Sequence, residues 1–238
     1  MGRDTTIVNR VVAIITARGG SKGILRKNLR ELAGKPLIQY TFDAAQSSTL
    51  IDEIVLSTDD EEIANFAIER GISVPFMRPK DLASDEASSR DVLTHALQQI
   101  PKYDHFILLQ PTSPLRTSRH VDEALGMYLE NNLNSLVSVS QVTEHPDWMY
   151  ERNSDGFLIT LNETPVVARR QDLRRIYLPN GAIYIREIND FWSSSKILGD
   201  HSFGFVMSED SSIDIDTEID LVKAEWFLNR NTTPKIED

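Results

Sequence analysis

Residues Val11–Asn28 read VVAIITARGGSKGILRKN. The opening run, Val11, Val12, Ala13, Ile14 and Ile15, is apolar without alternation, which predicts a strand buried on both faces. It gives way at once to a loop holding Gly19, Gly20 and Gly23, the hydroxyl of Ser21, and the cations Arg18, Lys22, Arg26 and Lys27. Glycines let the backbone turn tightly and bring bare N–H groups up to an oxyanion. Guanidinium and ammonium groups supply the charge a polyphosphate requires. The spacing is neither GxxxxGK[ST] nor GxGxxG. Basic glycine turns also occur as ordinary surface turns. The density of these residues directly after the first strand favours phosphate binding.

Outward from this loop, strand and helix signals alternate. Pro36 suits the start of a helix over Leu37–Ala45, and Glu53–Thr58 reads as a strand. Asp59 or Asp60 caps a helix over Glu61–Arg70 that stops at Gly71. Ile72–Pro75 reads as a short strand, Ser88–Ile100 as a helix and His105–Gln110 as a central strand. A rigid loop, Pro111–Arg116, leads to a helix from about Ser118 to Asn131, and Ser135–Ser140 is the next strand. Strands alternating with helices of this length predict an α/β fold, a mostly parallel sheet flanked by helices.

From residue 141 to 179 the pattern breaks. HPDWMYERNSDGFL reads as an irregular hairpin turning at Ser154-Asp155-Gly156, and a second extended piece surrounds Val166–Ala168. Such an excursion cannot bury itself well and suits a dimerisation arm. The chain returns through the strand GAIYIR, another strand near Phe203–Met207, and a helix from about Thr217 to Asn229. The organisation expected is a single domain over 1–238 with a dimerisation insertion at about 141–179.

A net charge of −11 argues against nucleic acid, whose backbone needs a basic patch. A cationic loop in an acidic chain then implies a local pocket for a small anion. The absence of cysteine removes disulfides, thiolate metal sites and a Cys nucleophile. No apolar run approaches the length of a membrane span, and MGRDTTIVNR lacks the apolar segment of a signal peptide, so no membrane and a cytoplasmic location are expected.

In open α/β sheets ligands bind beyond the carboxyl ends of strands, where the first loop and Gln110–Arg116 both fall. Gln110 offers an amide, Thr112 and Ser113 hydroxyls, and Arg116 a fork, although the segment also reads as a Pro-rich connector. Asp214 and Asp216, in SIDIDTE, alternate with Ile213 and Ile215. On a strand both carboxylates share one face, and two hard oxygens suit Mg²⁺. Alternatively, Asp216 caps the following helix. The five histidines lack ligand spacing and read as surface or packing residues, and the Trp and Phe residues at 191–192 and 226–227 as core.

ARGGSKG followed by KN resembles the signature of the CMP-sialic acid synthetases, the acylneuraminate cytidylyltransferases. Four further segments agree in order: RPKDLASDEASS (Arg78–Ser89), LLQPTSPLR (Leu108–Arg116), RQDL with NGAIYI (Arg170–Leu173, Asn180–Ile185) and SIDIDTEIDL (Ser212–Leu221). The resemblance implies a Rossmann-like nucleotidyltransferase of GT-A-like fold, a homodimer, using CTP, Mg²⁺ and an acidic keto-sugar. It implies nucleotide contacts from Arg18, Gly19, Gly20, Ser21, Lys22, Lys27, Asn28, Arg78, Gln110 and Ser113. Lys22, Arg18 and Asp216 would be catalytic, and Asp214 and Asp216 would hold the metal. Acceptor contacts would come from Gln110, Arg170, Gln171, Asn180, Leu178 and Trp148. Thr16 and Leu25 replace family prolines. Leu178 and Trp148 stand where related enzymes carry Arg and Lys, which makes the acceptor pocket more apolar and suggests a legionaminic-type acid beside N-acetylneuraminate. The alternatives are an eight-carbon keto-sugar cytidylyltransferase, a metal-dependent glycosyltransferase and a non-catalytic nucleotide-binding regulator.

Overall fold

The computed structural model describes residues 9–161, 169, 173–199 and 201–232. The opening run forms β1 (Val11–Thr16), which lies inside a sheet and is buried on both faces, as its unbroken apolarity requires. Val11, Ala13 and Ile15 join one core, while Val12 and Ile14 join the other. A two-residue ladder, β2 (Glu31–Leu32) with β3 (Lys35–Pro36), follows the loop and leads into α1 (Leu37–Gln46). β4 (Glu53–Ser57), α2 (Glu61–Ile68), α3 (Ser89–Gln99), β5 (His105–Leu109), α4 (Ser118–Glu130) and β6 (Ser135–Gln141) continue the alternation. A hairpin of β7 (Tyr150–Arg152) and β8 (Leu158–Thr160) precedes β9 (Tyr177–Glu187) and α5 (Ile188–Trp192). β10 (Phe203–Val206) and α6 (Glu218–Thr232) complete the described residues.

Among these residues the main sheet has six strands in the order β10-β6-β9-β5-β1-β4. β1 runs parallel to β4 and β5, β10 runs parallel to β6, and β9 is antiparallel to both its neighbours. The sheet is therefore mixed and mostly parallel. α1, α2 and α4 cover one face through Phe42, Ile63 and Leu125, and α3 and α5 cover the other through Leu93 and Phe191. Local signals start the helices: Asp60 accepts from the Ile63 amide at 2.9 Å, Ser88 accepts from the Asp91 amide at 3.1 Å, and Thr117 forms a capping box with His120.

Four segments differ from the sequence reading. Residues 72–75 make one bridge, Ser73 to Val55, and no strand. Residues 212–217 are extended but join no sheet, because Ile215 N to Thr112 O (2.8 Å) is the segment's only ladder-like bond to a neighbour among the described residues. β9 begins four residues before Gly181, taking up the Pro-Asn-Gly interruption by a register shift against β6. Phe191 is core, but Trp192 and Trp226 are exposed. The piece around Val166–Ala168 lies outside the described residues. No helix among the described residues is long and apolar enough to cross a membrane.

Arg116 is also placed differently. Rather than facing a ligand, it is buried, donating to the Gln110 and Ala182 carbonyls at 3.0 and 2.9 Å and to the Thr41 hydroxyl at 2.5 Å. With no carboxylate among those acceptors, burial lowers its pKa to about 9. The guanidinium ties α1, the 110–116 loop and β9 together. Arg116→Met removes the guanidinium bonds to three buried acceptors and should lower the unfolding free energy by about 2–4 kcal/mol in urea titrations. Nucleotide binding by the folded fraction should be unchanged; loss of binding at unaltered stability would return Arg116 to the ligand.

Candidate active site

β1, β4 and β5 end on the same edge of the sheet, and their loops enclose a recess of about 300 Å³, near the lower end for small-molecule pockets. Arg18, Lys27, Asn28, Arg78, Asp85, Gln110 and Thr112 line it. The structure thus brings together residues separated by as many as 94 positions. Asn28, buried, donates from its amide to the Arg18 carbonyl at 2.9 Å and fixes the curvature of the first loop. The Asp59 carboxylate accepts from the Gly19 amide at 3.1 Å and lies 3.5 Å from the Arg78 guanidinium. Arg78 is buried, and its Nε and Nη2 have no hydrogen-bond partner among the described residues. That burial lowers its pKa, with Asp59 opposing the shift.

The acidic pair comes from far along the chain and borders the recess through Lys27 and Thr112. Lys27 Nζ donates to the Ile215 carbonyl at 2.7 Å and to Asp216 Oδ1 at 3.1 Å. A Cβ on Gly23 would stand 2.5 Å from the Asp216 carbonyl oxygen, so only glycine permits the loop to pass this close. Gly181, at φ +78°, turns β9 beside Gln110 and Asp214, and a Cβ there would come within 3.5 Å of the Asp214 carboxylate. Asp216 does not cap α6. The Thr217 amide and hydroxyl both bond Asp220, at 2.9 and 2.7 Å, which leaves the Asp216 carboxylate on the site side with Lys27.

Asp214 faces the open cleft, yet the crowding walls withhold enough water to raise its carboxyl pKa. A bond from Thr112 opposes the shift and the charge of Asp216 adds to it. Two neighbouring carboxylates, Asp214 making no salt bridge among the described residues, form a donor set that fits a hard divalent cation. No cluster of three or more His, Cys, Asp or Glu occurs among the described residues, so substrate and water oxygens would fill the remaining positions.

The other expected residues divide. Gly20, Ser21 and Lys22 stay on the outer part of the loop, and the Lys22 side chain is 84% exposed. Arg26 turns away to pair with Glu62 on α2, adopting φ +53° to do so. Ser113 is buried under its turn and does not line the recess. Asn180 is committed to the fold: its oxygen accepts from Ser138 (2.6 Å) and its nitrogen donates to Ser212 (2.8 Å). Leu178 is exposed on β9, and Trp148 packs edge-on against His145; neither lines this recess. Arg170 and Gln171 lie outside the described residues. Sequence reasoning missed Asp59 as a bridge, because the same residue had a simpler reading as a helix cap, and it missed Asp85.

A protein-family model described as "Cytidylyltransferase" matches residues 12–190. An N-acylneuraminate cytidylyltransferase of Streptococcus agalactiae serotype V is 38% identical over 213 residues, covering 89% of this chain and 51% of that protein. This chain therefore spans about half the length of that relative. A CMP-N,N'-diacetyllegionaminic acid synthase of Legionella pneumophila is 36% identical over 227 residues, covering 93% of this chain and 97% of that one. Among solved structures, a CMP:2-keto-3-deoxy-manno-octonic acid synthetase complexed with CTP superposes with a TM-score of 0.71 at 19% identity, over 93% and 99% of the two chains. That likeness shows the fold.

The raised Asp214 carboxyl has a consequence for stability. A folded-state pKa above the unfolded value means that the ionised group destabilises the fold once pH exceeds the folded pKa, and that the penalty disappears below the unfolded pKa. Asp214→Asn should therefore raise the thermal unfolding midpoint of metal-free protein at pH 7, by an increment that shrinks as pH falls through the carboxylate range. An increment of the same size at pH 3 and pH 7 would assign the gain to something other than charge.

Proposed function

The chain belongs to the cytidylyltransferase family, among the CMP-sialic acid synthetases, and we propose that it transfers CMP from CTP to a nine-carbon acidic keto-sugar, releasing pyrophosphate. The observation that supports this most is a recess lined by Arg18, Lys27 and Arg78 whose wall residues Lys27 and Thr112 bond the carboxylates of Asp216 and Asp214 beside it. Cations are needed for a polyphosphate and hard anions for Mg²⁺, and the chain supplies both without a nucleophile motif. Such a site works by positioning and charge neutralisation. The sugar's anomeric hydroxyl attacks the α-phosphorus, the bond to the β-phosphate oxygen breaks, and pyrophosphate departs.

Arg18, Ser21, Lys22 and the Gly19–Gly20 backbone hold the triphosphate, with Lys22 directed at charge growing on pyrophosphate. Arg78, Asn28 and Gln110 take the nucleoside, and Lys27 orders Asp216 against the loop. Asp214 and Asp216 would hold Mg²⁺, which when bound would supply positive charge to neutralise the triphosphate. Asp216 also receives the proton of the attacking hydroxyl. The acceptor is N-acetylneuraminate or a legionaminic-type relative, a pair that the two sequence relatives also represent. Incubating CTP and Mg²⁺ with both acids and an eight-carbon keto-sugar acid, while following pyrophosphate, tests this. Release is expected with the nine-carbon acids, and Lys22→Ala should lower kcat more than tenfold because its partner charge grows in the transition state. Release with the eight-carbon acid alone would support the alternative cytidylyltransferase.

The β7–β8 hairpin supports a homodimer. Tyr150, Phe157, Leu158, Ile159 and Leu161 are exposed on it, Phe157 at 71%, more apolar surface than a hairpin of this size normally leaves in water. A two-fold partner would cover it and bring the adjoining segment that carries Arg170 toward a neighbouring acceptor site. Sedimentation at micromolar concentration should show twice the 27.0 kDa chain mass. A Phe157→Asp, Leu158→Asp double variant should sediment as the monomer; a monomeric unmodified protein would remove this part of the reading.

A further inference from the structure

Both outer cations of the first loop are held by a single carboxylate. Arg18 Nη1 lies 2.7 Å from Asp85 Oδ1, and Lys22 Nζ lies 2.6 Å from Asp85 Oδ2. One oxygen for each cation is also how a phosphoryl group would engage the same pair. Asp85 belongs to the connection between the 3₁₀ turn Lys80–Ala83 and α3, and together with Leu82, Ser84 and Ala87 it forms a wall of the recess. The carboxyl is held below the usual carboxylate range by its bond to Lys22 first and Arg18 second, so it stays ionised.

Several features make this contact exchangeable rather than structural. The Asp85 side chain is 40% exposed and Lys22 more so, and ion pairs in water contribute little to stability. The carboxylate bonds no backbone amide and has no partner besides the two cations among the described residues. The neighbouring start of α3 does not need it, because Ser88 provides the cap. The arrangement also cannot persist beside a bound triphosphate without setting carboxylate against phosphate over the same two cations.

We propose that Asp85 is a tethered counter-anion, which keeps Arg18 and Lys22 together in the empty site, yields them to the polyphosphate of the incoming nucleotide, and reclaims them as pyrophosphate leaves. The proposal rests on the cytidylyltransferase reading. It requires no covalent step: one anion replaces another on two cations. Because Asp85 is on the same chain, it is present at high local concentration and opposes retention of pyrophosphate.

Calorimetric titration of unmodified protein, Asp85→Asn and Asp85→Glu with CTP, inorganic pyrophosphate and CMP tests it. Asp85→Asn removes the competing charge at constant size and should bind CTP and pyrophosphate about three- to tenfold more tightly, the range that two exposed ion pairs can supply. CMP lacks the two outer phosphates and should bind as before, whereas a general disturbance of the site would move all three. Pyrophosphate should become a correspondingly stronger product inhibitor, and Asp85→Glu, which keeps the charge, should resemble the unmodified protein. Equal or weaker pyrophosphate binding by folded Asp85→Asn would overturn the exchange while leaving the cytidylyltransferase reading intact. Failure of the unmodified protein to bind either CTP or pyrophosphate would overturn both.

Discussion

One lysine holds the two halves of the site together. The Lys27 ammonium bonds the Ile215 carbonyl and the Asp216 carboxylate across a separation of 189 residues, and its stem is largely buried. The 212–217 segment belongs to no sheet among the described residues and is fixed by individual contacts. Its other anchors include Ile215 N to Thr112 O, the Thr112 bond to Asp214, the Asn180 amide on Ser212, and the Ile215 side chain, fully buried with Ile24, Leu37 and Leu221. The close passage at Gly23 completes the clamp. Loop, acidic segment and 110–112 turn are thus fixed by mutual contact. Removing the Lys27 charge would loosen the Asp216 end of the segment that carries both carboxylates. Lys27 therefore acts as an organiser as well as a source of positive charge.

The alternation of strands and helices was legible because it rests on local physics. The continuous apolar run of β1 can only be satisfied by two packed faces, and the helix starts carry their own caps at Asp60, Ser88 and Thr117. Where the reading missed, a distant contact prevailed over a local signal. Pro179-Asn180-Gly181 looks like a break, yet β9 runs through it because Asn180 bonds Ser138 and Ser212 and Gly181 accepts a positive φ. SIDID alternates like a strand, but it pairs with no strand among the described residues. Its alternation still has the expected effect: Ile215 is buried and the flanking aspartates are exposed, although the expected strand does not form.

For the site the limit was pairing. A sequence shows which residues carry charge and not which charges meet. Arg18, Lys22, Arg26 and Arg116 look alike in one dimension. In the fold the first two share Asp85, the third leaves for α2, and the fourth is sealed among neutral acceptors beneath β9. The family segment RPKDLASDEASS marked Arg78, but nothing local to it distinguishes Asp85 from Asp81 or Glu86. Only the docking of that connection against the first loop selects it.

Charge pairing also explains how an acidic chain of net charge −11 can offer a site for anions. Lys27 meets Asp216, Arg18 and Lys22 meet Asp85, and Arg78 meets Asp59. The recess projects little positive field, and long-range steering of an anionic ligand toward this acidic protein is correspondingly weak. Selectivity must then arise at contact, where the cations differ. Arg18 and Lys22 are partly or largely in water, and their partner is exchangeable, so they answer to charge with little regard for shape. Arg78 is buried, and its Asp59 pair is too long to satisfy the fork, which leaves Nε and Nη2 without acceptors among the described residues. Buried donors already stripped of partners reward a ligand that places acceptors opposite them and penalise one that does not. The outer pair is therefore suited to hold a polyphosphate of any nucleotide, and Arg78 to discriminate among the groups attached to it.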